Sequence, residues 1–194
     1  MATISIGTPA DKARLLHTLV LGFSADPVAR WASPDAATYM DRRHEFFGAF
    51  GGAAFEHGTA FVADDGAALA TWLPPGVEPD GEVMAAIMDD QTPAHRKAEM
   101  DDLVAQMDRF HPTEPHWYLP LIAADPAFRG RGLGTALMAA AIAVIDADGR
   151  PAWLESSNPR NISLYRRFGF EIVGEIRTRS SPVLTPMLRP GRGG

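Results

Sequence analysis

The 194-residue sequence contains no cysteine. Without a thiol, the chain cannot form a disulfide, a thiolate nucleophile or a cysteine-ligated zinc site. Disulfide-stabilised scaffolds, cysteine-dependent catalysts and cysteine-rich zinc proteins are therefore excluded.

Long apolar runs are missing as well. The longest, residues 136–145, is about half of the ~20 residues that a helix needs to cross a bilayer. The first seven residues, MATISIG, lack the basic and apolar segments of a signal peptide. We therefore expect a cytoplasmic protein without a membrane partner.

Basic residues are in the minority, with 18 Lys and Arg against 24 Asp and Glu and a formal net charge of −6. A nucleic-acid-binding surface needs an excess of positive charge, so a nucleic acid is not the expected partner. The acidic balance is compatible with a small cationic substrate. Hydrophobic residues make up 46% of the chain, which suffices for one domain over residues 1–194.

The order of apolar patterns in the first half predicts a strand, two helices, a hairpin and two further helices. These elements are predicted at residues 3–6, 9–23, 35–50, 59–73, 82–90 and 94–110. Asp65-Gly66 is a strong hairpin signal, because both central positions of a tight hairpin turn need a positive φ. Residues 24–35 contain two prolines and are predicted to form a loop, with Asp35 capping the next helix.

The second half alternates between strands and helices. Strands are predicted at residues 117–123, 152–155, 170–176 and 183–188, and helices at residues 132–147 and 159–168. Gly149 is predicted to end the first of these helices. The fold class that follows is α/β.

A glycine-rich, basic loop, FRGRGLGT, separates the strand at 117–123 from the helix at 132–147. Unpaired N–H groups and the helix dipole make such a helix start suitable for an anion such as a pyrophosphate. A Walker loop would need a lysine here, and a dinucleotide fingerprint would need a glycine in place of Thr135. The pattern Arg-x-x-Gly-x-Gly fits from Arg129 to Gly134.

This loop resembles the acyl-coenzyme A loop of the GCN5-related N-acetyltransferase (GNAT) superfamily. A second family motif lies about 25 residues further on, where Asn158 is followed by Leu164-Tyr165 and then by Gly169-Phe170. The resemblance covers residues 116–190 by motif and the rest by order of elements. Within the superfamily, the sequence is most similar to the puromycin N-acetyltransferase-like branch.

The resemblance implies a single GNAT-type domain with a mixed sheet of six or seven strands, flanked by helices and splayed at the cofactor site. Residues 1–115 would supply mainly the acceptor side, and residues 116–190 the acetyl-CoA-binding core. Pro120 cannot donate to a strand ladder, which suits either the family's bulge and splayed strand pair or a sheet edge.

Acetyl-CoA is the cosubstrate that the resemblance implies. Its pyrophosphate would bind the loop amides, and its pantetheine arm would pair with the preceding strand. The implied cofactor-binding residues are Ile122, Ala123, Ala124, Arg129, Gly130, Arg131, Gly132, Leu133, Gly134, Thr135, Asn158 and Asn161. Asn158 also suits an N-cap before Pro159, and Asn161 stands where the family usually has alanine.

Tyr165 occupies the position of the family's general acid, although an aromatic residue on a helix also suits a core position. Glu155 is our candidate for the base, because strand alternation puts it on the same side as Trp153 and the resemblance implies that this strand lies beside the cofactor. A water chain, with Glu155 as a structural residue, is the alternative.

Other residues carry weaker signals. The six histidines are scattered without metal-ligand spacing, so we predict no metal site and expect them to be solvated or locally bonded. Asp26 suits a cationic amine or an Asp-Pro turn. The resemblance implies that the early helical regions wall the acceptor pocket. Most of their aromatic residues are expected to be core residues and some to contact the substrate; these residues are Trp31, Tyr39, Phe46, Phe47 and Phe50.

The expected function is acetyl-CoA-dependent acetylation of the primary amine of a small molecule. A protein or peptide N-acetyltransferase is one alternative, although the helical insert at residues 82–110 suggests a lidded pocket. A non-catalytic acyl-CoA-binding sensor is another, and Tyr165 counts against it. The sequence leaves a homodimer open.

Overall fold

Seven strands form one mixed sheet in the computed structural model, which describes residues 2–192. The strands are β1 (Ile4–Ile6), β2 (Ala60–Ala63), β3 (Ala68–Leu73), β4 (Trp117–Ala124), β5 (Ala152–Ser156), β6 (Glu171–Ile172) and β7 (Thr185–Arg189). Their order in the sheet is β1-β2-β3-β4-β5-β7-β6. β4 and β5 pair in parallel, and the other neighbours pair antiparallel.

Helices cover both faces of the sheet. They are α1 (Lys12–Gly22), α2 (Pro27–Ala32), α3 (Ala36–Gly51), α4 (Ala53–Glu56), α5 (Gly81–Gln91), α6 (Lys97–Phe110), α7 (Leu133–Asp148) and α8 (Ile162–Arg167). The apolar face of α7 packs on one side of the sheet, and α1 and α3 pack on the other. Across residues 2–192, no helix has both the length and the apolarity to span a bilayer.

The predicted α/β class, the single domain and the mixed sheet are confirmed, and most elements lie within a few residues of their predicted bounds. The loop predicted for residues 24–35 is wrong in part, because residues 27–32 form α2. Asp26 caps this helix by accepting from the Val28 and Ala29 amides, and Pro27 takes the first helical position. An Asp-Pro pair that suits a turn also suits a helix start.

Two further details differ from the sequence prediction. The strand predicted at residues 170–176 is reduced to β6 and an isolated bridge between Ile176 and Leu184. The hairpin between β2 and β3 has a four-residue connection, in which Asp64 and Asp65 have φ of 45° and 53°. Aspartate tolerates this left-handed conformation better than most residues do.

The centre of the sheet is opened by two irregularities in β4. Opposite β3, one extra residue is inserted between Tyr118 and Leu121, next to Pro120. Opposite β5, pairing is confined to Trp117↔Ala152 and Tyr118↔Trp153 among the described residues, although β4 continues to Ala124. The predicted splayed strand pair is therefore present, with a bulge beside Pro120.

Candidate active site

A cavity of about 820 Å³ lies where β4 and β5 diverge. Its walls come from the end of α1, from α2, α3, α5 and α6, and from the 157–165 segment that includes α8. The helical insert predicted to cover the pocket thus does line it, through Met84, Met88, Leu103 and Met107. The site is enclosed on the side of the insert and reaches the glycine loop at the other end.

The glycine loop leads directly into α7. Gly130 and Gly132 have φ of 77° and 78°, values that a side chain makes unfavourable, and Leu133 begins the helix. The Leu133 side chain is buried in the core, so only its backbone amide is available at the helix start. Arg129 donates from Nη2 to the Gly22 carbonyl over 2.7 Å and lines the cavity, as does Gly134.

Two other loop residues point elsewhere. The Arg131 guanidinium lies 4.8 Å from the centre of the Phe128 ring on the exposed surface. The Thr135 hydroxyl accepts from Arg167 Nη2 over 3.2 Å. The side chains of Arg131 and Thr135 are therefore turned away, and the backbone of these two residues is what they present at the start of α7.

The open edge of β4 is formed by Ile122, Ala123 and Ala124, all of which line the cavity. On one side they pair with Ala70, Leu69 and Ala68 of β3. On the other side β5 has moved away, which leaves an edge of backbone amides and carbonyls that an extended ligand can pair with.

Tyr165 lies in α8 with 4% of its surface exposed, and its side chain lines the cavity. Burial raises the pKa of its hydroxyl well above the ordinary value, the charge of Asp26 raises it further, and the Asn161 side chain partly opposes this. Tyr165 also packs edge-on against Phe170, with ring centres 6.3 Å apart. Tyr165 therefore packs as a core residue and also lines the cavity.

Glu155 is held on the other side of the cavity, with 4% of its side chain exposed. Trp153 Nε1 donates to its Oε1 over 2.7 Å, so the predicted shared side of β5 is confirmed. The Tyr118 hydroxyl also contacts this carboxylate, and burial followed by the charge of Glu155 raises the pKa of Tyr118. Glu155 is therefore bonded and at the same time open to the cavity.

Two histidines extend this group of polar side chains. Glu155 Oε1 lies 3.7 Å from His111 Nδ1, and His111 Nε2 lies 3.0 Å from His116 Nε2. His116 Nδ1 lies 2.7 Å from the Glu114 carbonyl. The expectation of locally bonded histidines is confirmed for this pair, which the short connection from α6 to β4 brings together.

The contact between His116 and the Glu114 carbonyl sets the tautomers of the two histidines. A carbonyl only accepts, so His116 Nδ1 carries a proton and donates to Glu114. Burial lowers the pKa of His116, which favours the neutral ring with Nε2 as acceptor. His111 Nε2 then donates to it, and in neutral His111 the unprotonated Nδ1 faces Glu155.

Asn158 and Asn161 also line the cavity. Asn158 Oδ1 accepts from the Arg160 amide over 3.1 Å at the start of a short 3-10 turn, Pro159–Asn161, so the predicted cap is present. The Ser157 hydroxyl, beside it, donates to Asp26 over 2.6 Å and joins α2 to the end of β5.

Sequence reasoning missed Arg43 and left the role of Asp26 open. Asp26 was considered for a substrate amine but is bonded to Ser157 and to the start of α2. Arg43 of α3 is buried and lines the cavity, as do Phe46, Phe47 and Phe50. In the sequence, Arg43 is marked only by its spacing of four residues from Tyr39 and Phe47. Among residues 2–192, no group of three or more acidic or histidine side chains has a metal-binding arrangement.

A splayed β4–β5 pair, a glycine loop at the start of α7 and a buried tyrosine facing the cavity define an acyltransferase of the GNAT type. The family model described as "Acetyltransferase (GNAT) family" matches residues 31–170. The chain belongs to this acetyltransferase family.

Solved structures with the same fold include a histone acetyltransferase HPA2 and related acetyltransferase from Corynebacterium glutamicum, at 26% identity and a TM-score of 0.69. That match covers 98% of this chain and 96% of the other. Arylalkylamine N-acetyltransferase 2 from Aedes aegypti is 14% identical, with a TM-score of 0.68 and coverage of 97% and 98%. The polyamine N-acetyltransferase of Drosophila melanogaster is 16% identical, with a TM-score of 0.59 and coverage of 97% and 99%.

Proposed function

We propose that this enzyme transfers an acetyl group from acetyl-CoA directly to the primary amine of a small molecule. The observation that carries the proposal is the pair Tyr165 and Glu155, which face one cavity from two elements beside the open edge of β4. Direct transfer is consistent with the absence of cysteine, since no thiolate can hold the acetyl group. The similar structures named for arylalkylamines and polyamines are compatible with a small amine.

The residues present fit acetyl-CoA, which supplies the acetyl group as an activated thioester. The unpaired amides at the start of α7, with Arg129 beside them, would hold the pyrophosphate. The open edge at Ile122–Ala124 would hold the pantetheine arm, with Asn158 and Asn161 on the facing wall.

Tyr165 would act as the general acid. A tyrosine ordinarily ionises near pH 10 and a thiol near 8.5, so the phenol is protonated when a thiolate leaves. The raised pKa of Tyr165 keeps the proton on its oxygen over the working pH range. The proton would pass to the departing thiolate of coenzyme A.

Glu155 would accept the proton that the amine must lose, and His111 would receive it next. For this step His111 would have its lone pair at Nδ1, towards Glu155. At 3.7 Å the two atoms are beyond hydrogen-bonding distance, so transfer needs a small rotation or one water molecule. His111 is partly exposed, which gives the proton a route to solvent.

The helical insert favours a small acceptor over a peptide. α5 and α6 line one side of the cavity with methionine and leucine side chains, as a cover over a small acceptor would. A non-catalytic sensor would need neither the acid nor the base.

The first test is a melting curve with excess acetyl-CoA, with ATP and NADH as controls. Ligand at 100 times its Kd adds about 2.7 kcal/mol, which raises the midpoint by about 5–10 °C for a chain of this size. A panel of small amines is then screened by release of free thiol. Because the protein contains no cysteine, a thiol reagent reports coenzyme A alone. Absence of both binding and release would contradict the proposal.

A second test addresses the base. Glu155→Gln keeps a hydrogen-bond acceptor for Trp153 but removes the proton acceptor, and kcat/KM at neutral pH is expected to fall by about 100-fold or more. The loss should shrink towards alkaline pH, where an amine with a pKa of about 10.4 loses its proton to solvent. An unchanged pH profile would exclude Glu155 as the base and favour a water chain.

A further inference from the structure

Arg43 is a buried cation on an aromatic helix face. It follows Tyr39 and precedes Phe47 by one turn each in α3, and only 5% of its surface is exposed. The guanidinium carbon lies 4.9 Å from the centre of the Tyr39 ring and 5.1 Å from that of Phe46. These contacts hold its position but do not neutralise its charge.

The hydrogen-bonding capacity of Arg43 is largely unused. Nη2 donates to the Ser33 hydroxyl over 2.8 Å, whereas Nε is buried without a partner. Within residues 2–192, no carboxylate forms an ion pair with this guanidinium, and Asp26 is engaged by Ser157 and α2 amides. Burial lowers the pKa of Arg43 most, Tyr39 and Asp26 raise it, and Arg30 lowers it.

An arrangement of this kind is costly for stability, because a buried charge without a counter-ion loses its hydration uncompensated. Natural chains accept such costs mainly at functional sites. Arg43 lines the cavity, so an anionic ligand group in the cavity could supply the missing partner.

The cavity has a second, acidic end. Glu155 lines it beside His111, the charges of Glu78 and Glu155 both act on His116 and Tyr118, and Asp108 also lines the cavity. Phe46 and Phe50 connect the two ends, with ring centres 6.0 Å apart, and Phe50 lies 6.0 Å from Tyr118 beside Glu155. The pocket is therefore complementary to a molecule with an ammonium group, an apolar middle and an anion.

We propose that Arg43 binds a carboxylate of the acceptor, so that the substrate class is an amino acid or another primary amine that carries a carboxylate. The inference rests on the proposed acetyl transfer and narrows its substrate. It assigns Arg43 a role in acceptor recognition and none in the chemical step.

The experiment compares acceptors that differ only in their anion. Suitable pairs are 4-(aminomethyl)benzoate and 4-(aminomethyl)benzamide, and 5-aminovalerate and 5-aminovaleramide. The distance between amine and carboxylate differs from pair to pair. Within each pair, the acid and the amide have nearly the same size. We expect the acid of at least one pair to exceed its amide in kcat/KM by about 10- to 100-fold, mainly through KM.

Two variants provide the comparison. Arg43→Met keeps the volume, removes the charge and should abolish the preference for the acid, with the KM for acetyl-CoA unchanged. Arg30→Met is the matched control, because Arg30 also lies over the Tyr39 ring, at 5.2 Å, but donates to the Pro34 carbonyl outside the cavity lining. It should keep the preference. Arg43→Lys should retain part of it.

The melting temperature separates recognition from a structural role. If the charge is kept for a ligand, Arg43→Met should melt no lower than the parent protein, because it removes an uncompensated buried charge. A large drop in melting temperature with an unchanged preference would assign Arg43 to the fold and overturn the inference.

The remaining outcomes are distinct. Amides acetylated as fast as the acids in every pair, or no acceptor used while acetyl-CoA binds, would overturn the carboxylate assignment. A change in the KM for acetyl-CoA in Arg43→Met would place the residue at the cosubstrate and would also overturn it. Failure to bind acetyl-CoA would remove the proposed function itself.

Discussion

Two buried tyrosines illustrate how position decides the role of one residue type. The Tyr39 hydroxyl donates to the Val20 carbonyl over 2.7 Å and thereby joins α3 to α1. The Tyr165 hydroxyl has Asn161 beside it and faces the cavity. Burial raises the pKa of both, that of Tyr39 to about 12. The first hydroxyl is committed to the fold, and the second is available for chemistry.

Removing each hydroxyl should therefore have opposite effects. Tyr165→Phe is expected to lower kcat by about 100- to 10,000-fold with little change in stability, because it removes the proposed general acid. Tyr39→Phe should leave kcat nearly unchanged and cost about 1–3 kcal/mol of unfolding free energy, because the Val20 carbonyl loses its partner. Steady-state kinetics and urea unfolding of both variants measure this. If Tyr165→Phe keeps kcat as well as Tyr39→Phe does, Tyr165 is a packing residue.

At the residue scale, the sequence predicts the parts of the site that depend on local pattern. Tyr165 follows from its motif, and the shared orientation of Glu155 and Trp153 follows from strand alternation. Arg43 and His111 were missed because their roles depend on what packs against them. A charged residue within a helix usually faces water, and only the tertiary contacts reveal that Arg43 does not.

At the scale of elements, α7 has a glycine in the left-handed conformation at each end. Gly132 precedes its first residue with φ of 78°, and Gly149 follows its last with φ of 82°. A Cβ at either position would meet no atom within 4 Å, so a substitution is strained only through the backbone. The two glycines differ in that Gly132 adjoins the proposed pyrophosphate site.

Alanine at each end of α7 should separate stability from binding. Gly132→Ala and Gly149→Ala should each cost about 1–2 kcal/mol, the penalty of a left-handed alanine. Gly132→Ala alone should weaken acetyl-CoA binding, by about 10- to 100-fold if it displaces one amide donor to the pyrophosphate. Calorimetric titration with acetyl-CoA measures the difference. Equal affinities in the two variants would contradict the assignment of this loop.

Elements were predicted well where they are long and poorly where they are short. α3, α6 and α7 are at least 14 residues long, and their periodicity identified them. α2 has six residues, too few for a periodic signal, and its Asp26-Pro27 start was assigned to a turn. β6 has two residues because only two of its residues pair with β7. β7 is more than ten residues away in the sequence, so a local pattern could not predict where the pairing ends.

At the scale of the whole molecule, all three tyrosines of the chain have raised pKa values, with burial as the first cause. In the unfolded chain each ionises near pH 10. The folded protein therefore keeps protons that the unfolded chain releases, so this contribution to stability is complete below pH 10 and is lost as the pH rises above it.

The phenolate absorbance should report this linkage. In the native protein it should stay low through the range around pH 10 and rise together with loss of circular dichroism as the protein unfolds. In guanidinium chloride, all three tyrosines should titrate near pH 10, which serves as the reference. A tyrosine that ionises at ordinary pH while the fold persists would contradict the burial described for these side chains.

The divergence of β4 from β5 also has a mechanical consequence. A sheet is usually stiffest at its centre, where every strand has two paired neighbours, and most compliant at its edges. Among residues 2–192, two residue pairs join the halves, and α7 packs mainly on β2, β3 and β4, to one side of this line. The most compliant line of the sheet therefore runs through the active site, where a long cosubstrate must enter and leave. The outer strands do not have to move when the cosubstrate passes.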